Sequence, residues 1–365
     1  MNLRNAVLFL IGAAVIAWLV LLRRPESVDA ITMKWDGSTH ADRTSQAFTN
    51  WNANDPPTIP IACAKCHSLD GYLDFVGADG SAAGVVDVAA RIGTVLYCNT
   101  CHNPPTHEMT RVVFPSKAEI TGLGREAVCM QCHQGRTSTD TVNQAIAGLL
   151  LDEVSDKLSF INVHYGIAAA TQMGSEARIA YQYDGRDYAG RYLHVTGLTA
   201  CIDCHDPHSQ QVDPKKCSPC HVMVVSQEDF PRIRTTKTDW DGDSDTMEGV
   251  AMEIASLQEM LMQTMQLYAN RVVGTPIVYG DAFPYFFADK NANGVADPDE
   301  ANAGNRYQSW TPRLLRTAYN YHFVQEDGGA HVHNPVYVLQ FLYDAIQDLG
   351  AKVPVPAAGF QRPSP

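Results

Sequence analysis

Five copies of Cys-x-x-Cys-His run through this chain and take up all ten of its cysteines. They are Cys63, Cys66 and His67; Cys98, Cys101 and His102; Cys129, Cys132 and His133; Cys201, Cys204 and His205; and Cys217, Cys220 and His221. Two residues between the thiols fold as about one turn, so both sulfurs reach the same edge of a flat macrocycle and the adjacent imidazole faces its centre. This is the attachment pattern of c-type haem, two thioethers and one axial His per group. Zinc or a disulfide framework would not need a His after every second Cys. The chain is therefore expected to hold five haem c groups, with His67, His102, His133, His205 and His221 as proximal iron ligands. Such a load of porphyrin favours a mainly α fold with little regular secondary structure around the haems.

The 365 residues suffice for one large domain or two ordinary ones. Hydrophobic residues make up 45% and charged residues 18%, which is globular composition. A formal charge of −13 excludes non-specific nucleic-acid binding and suits basic redox partners. Ala6 to Leu22 is a charge-free run of 17 residues between Arg4 and Arg23. Its length is at the lower limit for crossing a bilayer. It is read as a membrane anchor, with removal as a secretion signal after Ala30 as the alternative. Because c-type haem is attached after export, the body of the protein is expected on the periplasmic or extracellular side.

Four segments follow: 1–30 as anchor or signal, 31–235 as a pentahaem domain, 236–352 as a C-terminal helical segment with calcium loops, and 353–365 as a frayed Pro-rich tail. Residues 25–60 read as an extended approach to the first motif. The motifs are unevenly spaced, by 30, 26, 67 and 11 residues, so the last two haems are expected to be close neighbours. Val250, Ile254, Leu257, Leu261, Met265 and Tyr268 recur at helical intervals. Further helices are expected over Arg313–Phe323 and Pro335–Leu349, the latter with Pro in its first turn.

Thirteen histidines less the five in motifs leave eight that could take the second axial position. His208 follows its motif through a Pro-containing turn and His194 precedes the same motif. His164 is expected to start a helix, and His333 to tie the C-terminal segment to the haems. The fifth place goes to His40, with His107 as its alternative. His322 and His331 read as surface or supporting residues. Met109, Met130, Met173 and Met223 are read as non-ligands. Arg111 and Arg136 are candidate propionate partners.

Residues 289–300 match the twelve-residue calcium loop, with Asp289, Asn291, Asn293, the Val295 carbonyl, Asp297 and Glu300 as ligands around Gly294. A second acidic run, Asp239, Asp241, Asp243 and Asp245 ending at Glu248, lacks that spacing but concentrates charge that a cation would neutralise. Both are expected to brace the fold.

The Cys201–His208, Cys217–His221 and Cys129–Arg136 blocks, with the stretch from Trp310 to Leu349, resemble the multihaem cytochromes c of bacteria and archaea. The five-fold count and His333-Asn334-Pro335 also look like the pentahaem nitrite reductase lineage. That lineage usually attaches its catalytic haem through a motif ending in Lys and leaves one axial position open, whereas all five motifs here end in His. The resemblance implies an electron carrier whose bis-His haems link a quinol oxidase module, another cytochrome, a terminal reductase or further copies of itself. The alternative it implies is a reductase of a small nitrogen or sulfur oxyanion at one open haem, with Arg111, Arg136 and His107 nearby.

Overall fold

The computed structural model describes residues 26–355 and 359–365, so the apolar run from 6 to 22 lies outside the described residues. Among the described residues no helix is long and apolar enough to cross a membrane. Helices and loops dominate, and among the described residues the strands form three two-stranded antiparallel ladders. The described residues divide into two compact units, the first comprising 26–75, 79–100 and 205–211 and the second the remainder. The boundary falls inside the second and fourth Cys-x-x-Cys-His motifs. It does not follow the change of composition near 236.

The first unit has a small apolar core of Ile59, Ala64, Val86 and Ala90, with Trp51, Cys63 and Phe75 packed on it. The Ile61–His67 helix crosses the Leu69–Phe75 helix at Gly71. A Cβ there would lie 2.4 Å from the Ala64 carbonyl oxygen, so the approach requires glycine. The buried Asp74 carboxylate accepts from Ser81 Oγ and from the Asp87 amide, which fixes the following loop. The segment before the first motif is not extended throughout: Val28–Asp36 and Gln46–Thr49 are helical, each capped by a serine side chain.

The second unit is built on three helices, Val250–Tyr268, Pro312–Gln325 and Pro335–Gly350. Ile254, Leu257, Leu261, Met265 and Tyr268 are buried, which is the face read from their periodicity. The other two helices start with Pro, whose missing N–H costs nothing in a first turn. Thr311 and Asn334 cap them by accepting from the amides of Leu314 and Tyr337. The apolar core runs from Val112 to Val353, so the segment carrying the third motif shares one interior with the long helices. Arg313 bridges Asp152 and Asp348 inside this unit, and Arg316 adds a second bond to Asp348.

The C-terminal tail corrects one expectation. It docks: Gln340 Nε2 donates to the Pro363 carbonyl, Arg362 pairs with the buried Asp344, and the Gln361 amide donates to the Trp240 carbonyl. Long-range partners of this kind leave no trace in local composition.

Candidate haem sites

Each motif folds as a helix or a closed turn. Cys63 and Cys66 lie in the Ile61–His67 helix, and Cys98–Cys101 and Cys201–Cys204 are single helical turns. In the third and fifth motifs the His133 and His221 amides donate to the carbonyls of Cys129 and Cys217, closing a turn around both thiols. None of the ten cysteines is in a disulfide.

Three proximal rings are held in one orientation. Nδ1 of His67 lies 2.8 Å from the Ala47 carbonyl, that of His133 is 2.7 Å from Gly166, and that of His205 is 3.0 Å from Gln210. A carbonyl can only accept, so Nδ1 carries the proton and Nε2 is left with its lone pair. Fixing the tautomer through the far nitrogen is how a ligating imidazole is prepared for a metal.

The third and fifth motifs and the two cysteines of the fourth follow one another in space within the second unit. The Cys201–Cys204 turn packs against the Glu126–Met130 helix, which holds Cys129. Lys216 Nζ donates to the Asp203 carbonyl at 2.6 Å, lashing the fifth motif to the fourth. Asp203 in turn caps its own helix by accepting from the amides of Thr199 and Ala200.

The ring centroids of His194 and His221 are 6.0 Å apart. A metal–nitrogen bond of about 2 Å on each side, plus the half-width of each ring, puts two axial imidazoles at roughly that separation. His194 Nδ1 shares a hydrogen bond with Tyr192 OH. Burial and then the His221 ring keep its pKa below the usual value, which favours the neutral ring. His102 and His107 are also 6.0 Å apart, but only four residues separate them and His107 sits in the short Pro104–His107 helix. That link is too short to pass round a porphyrin edge, and His107 is exposed. His40 belongs to the first unit, where the adjacent Thr39 bonds Gln210, the residue whose carbonyl orients His205. His208 lies in the same loop, its amide on Asp206 Oδ1.

His333 carries the clearest sign of a prepared ligand. Nδ1 lies 2.8 and 2.9 Å from the two oxygens of the buried Asp327. Burial opposes a charge on the ring, and the Asp327 carboxylate more than reverses this, so the His333 pKa is raised. Asp327 escaped sequence reading, although an acid six residues before a candidate ligand was a usable signal.

Several readings need correction. His164 starts no helix: it sits in a loop with φ of 87°, and the helix begins at Ala168. His322 is fully buried, not on the surface, with Nδ1 bonded to Tyr279 OH and Nε2 to Asn162 Oδ1. Burial, then His164, lowers its pKa to about 3, which is a neutral core histidine. His331 is half-buried, and its Nε2 is enclosed with no hydrogen-bond partner. It is a ligand candidate that sequence reading set aside. Met130 and Met173 are core residues, and Met109 Sδ accepts from Gln131. Arg111 is spent on Glu119 at 2.8 Å, and Arg136 is exposed.

Comparison with known proteins agrees with this chemistry. The chain is 24% identical over 362 residues to the C-type polyheme cytochrome OmcB of Geobacter sulfurreducens, covering 84% of this chain and 46% of that protein. It is 25% identical over 367 residues to the C-type polyheme cytochrome OmcC of the same organism, covering 84% and 44%. The chain thus spans about half the length of the curated relatives it matches. No protein-family model and no solved structure matches it. This distant likeness supports a multihaem c-type cytochrome.

Proposed function

We propose that the chain is an extracytoplasmic electron carrier holding five haem c groups, each iron between two imidazoles. The distal set is His40, His164, His194, His208 and His333, with His221 and His194 as one opposed pair. Residues 6–22 would tether it to the membrane, and its partners would be other cytochromes, a quinol oxidase module, a terminal reductase or further copies of itself.

The observation that carries this reading is the succession of attachment turns: the Cys201–Cys204 turn packs on the helix that holds Cys129, and Lys216 ties the fifth motif to Asp203 of the fourth. It supports three groups in a row at close range, which is what stepwise electron passage needs and what a single catalytic centre does not. Bound at these turns, haem c supplies one-electron chemistry, its iron passing between the ferric and ferrous states. The chain's own part is to fix spacing and tautomers. The carbonyls of Ala47, Gly166 and Gln210 hold the proximal rings. The Asp327 carboxylate makes His333 a stronger donor. Double imidazole ligation places the potentials below those of His/Met haems.

The test is haem counting and spin state. Mass measurement should give five haem additions, and the oxidised protein should be wholly low-spin. His194→Ala should leave all five haems attached and turn one of them high-spin. Fewer than five additions overturns the count. A high-spin ferric haem in the unaltered protein that responds to nitrite or hydroxylamine would replace the carrier by the reductase.

A further inference from the structure

We propose that the loop Asp239–Glu248 binds a calcium ion that pins the start of the Val250–Tyr268 helix. Asp241 is 2% exposed and its Oδ2 has no hydrogen-bond partner; Glu248 Oε1 is likewise enclosed and unpartnered. Carboxylate oxygens of Asp241, Asp243 and Glu248 all lie within 4.8 Å of one another, and so do those of Asp239, Asp241 and Glu253. An ionised oxygen buried without a donor is costly, and neighbouring carboxylates raise that cost further.

The guanidinium beside this cluster does not relieve it. Arg234 bonds Glu253 Oε1 and the carbonyls of Glu248, Thr236 and Thr238. Glu253 Oε2 is taken by the amides of Trp240 and Asp241. One cation therefore balances one carboxylate and leaves the loop acids uncompensated. Asp241, Asp243 and Asp245 each use Oδ1 to accept the amide two residues on, so the loop is wound with one oxygen of each acid left outside its own turn. The donors are all oxygen, several are charged, and the loop is irregular. That set suits calcium, which accepts six to eight oxygens in flexible geometry, better than magnesium or a soft metal.

A separate observation carries a second calcium ion at 289–300. Glu300 is 2% exposed and its Oε2 has no partner, while Oε1 takes the Lys290 amide. The backbone turns sharply at Gly294, at φ of 79°, where the Asp289 carboxylate receives its amide. Glu300 thus closes a loop whose first acid, Asp289, is also buried.

Equilibrium dialysis of the intact haem-bearing protein against radioactive calcium, after a chelator wash, should give two bound equivalents. Magnesium in excess should not displace them, and a chelator should lower the melting temperature. Asp241→Asn and Glu300→Gln should each lose one equivalent and keep the other, with the haem spectrum unchanged. The retained equivalent also serves as the control that each variant is folded. Absence of bound calcium in the unaltered protein overturns both sites. Loss of both equivalents, or of neither, in a variant with an intact haem spectrum overturns the assignment of the ion to that loop.

Discussion

Asp327→Asn deletes one buried charge while keeping the shape and one hydrogen bond to His333. Asp327 is 4% exposed, so solvent screens it weakly. From its oxygen, 2.8 Å from Nδ1, a path across the ring and along a metal bond of about 2 Å gives a charge-to-iron distance of roughly 7 Å. With an effective dielectric of about 20, one unit of charge on the iron interacts with the carboxylate by about 2 kcal/mol. A one-electron couple moves about 59 mV for each tenfold change in equilibrium, or about 1.4 kcal/mol. The negative carboxylate favours the more positive, oxidised state. Its removal should therefore raise one haem potential by about 100 mV and leave the other four nearly unmoved. A stepwise redox titration resolved by optical spectroscopy would read this directly. If no potential moves, or all five move together, His333 does not ligate iron and the second-sphere role of Asp327 is lost.

Two further outcomes follow from burial. Glu326 has its pKa pushed up to about 7 by burial, from the usual carboxyl value of 4.5. A raised acid leaves stability intact below about pH 4.5 and removes it as pH climbs through about 7, because the unfolded chain gives up its proton first. Glu326→Gln should thus gain about 2 kcal/mol near pH 8 and almost nothing near pH 4, measured by urea unfolding of the holoprotein. A gain that is the same at both pH values would contradict the assignment. Leu257→Ala, at a fully buried position on the long helix, should cost about 2–5 kcal/mol in the same assay, with all haems still attached. A loss under about 1 kcal/mol would mean that this helix does not anchor the core.

The covalent chemistry was legible because it is local: one turn of chain decides where two thiols and an imidazole point. The long helices were legible for the same reason, since Ile254, Leu257 and Leu261 mark a face at fixed intervals. Distal ligands depend on which distant segment arrives opposite an iron. Spacing could nominate His194 but could not place it 6.0 Å from His221. His322 looked like every other spare histidine, and only the packing of Tyr279 and Asn162 around it reveals a neutral core residue. The tail misled because Pro363 and Arg362 find Gln340 and Asp344 through the fold, not through neighbours in sequence.

The third motif is set into the same close-packed interior as the long helices, with Met130 and Ala127 wholly enclosed beside Cys129. Close-packed interiors deform little under thermal motion. Tunnelling between redox centres decays exponentially with the gap, so a wall that breathes by fractions of an ångström would keep the hop across Cys129 and Cys201 nearly constant in rate.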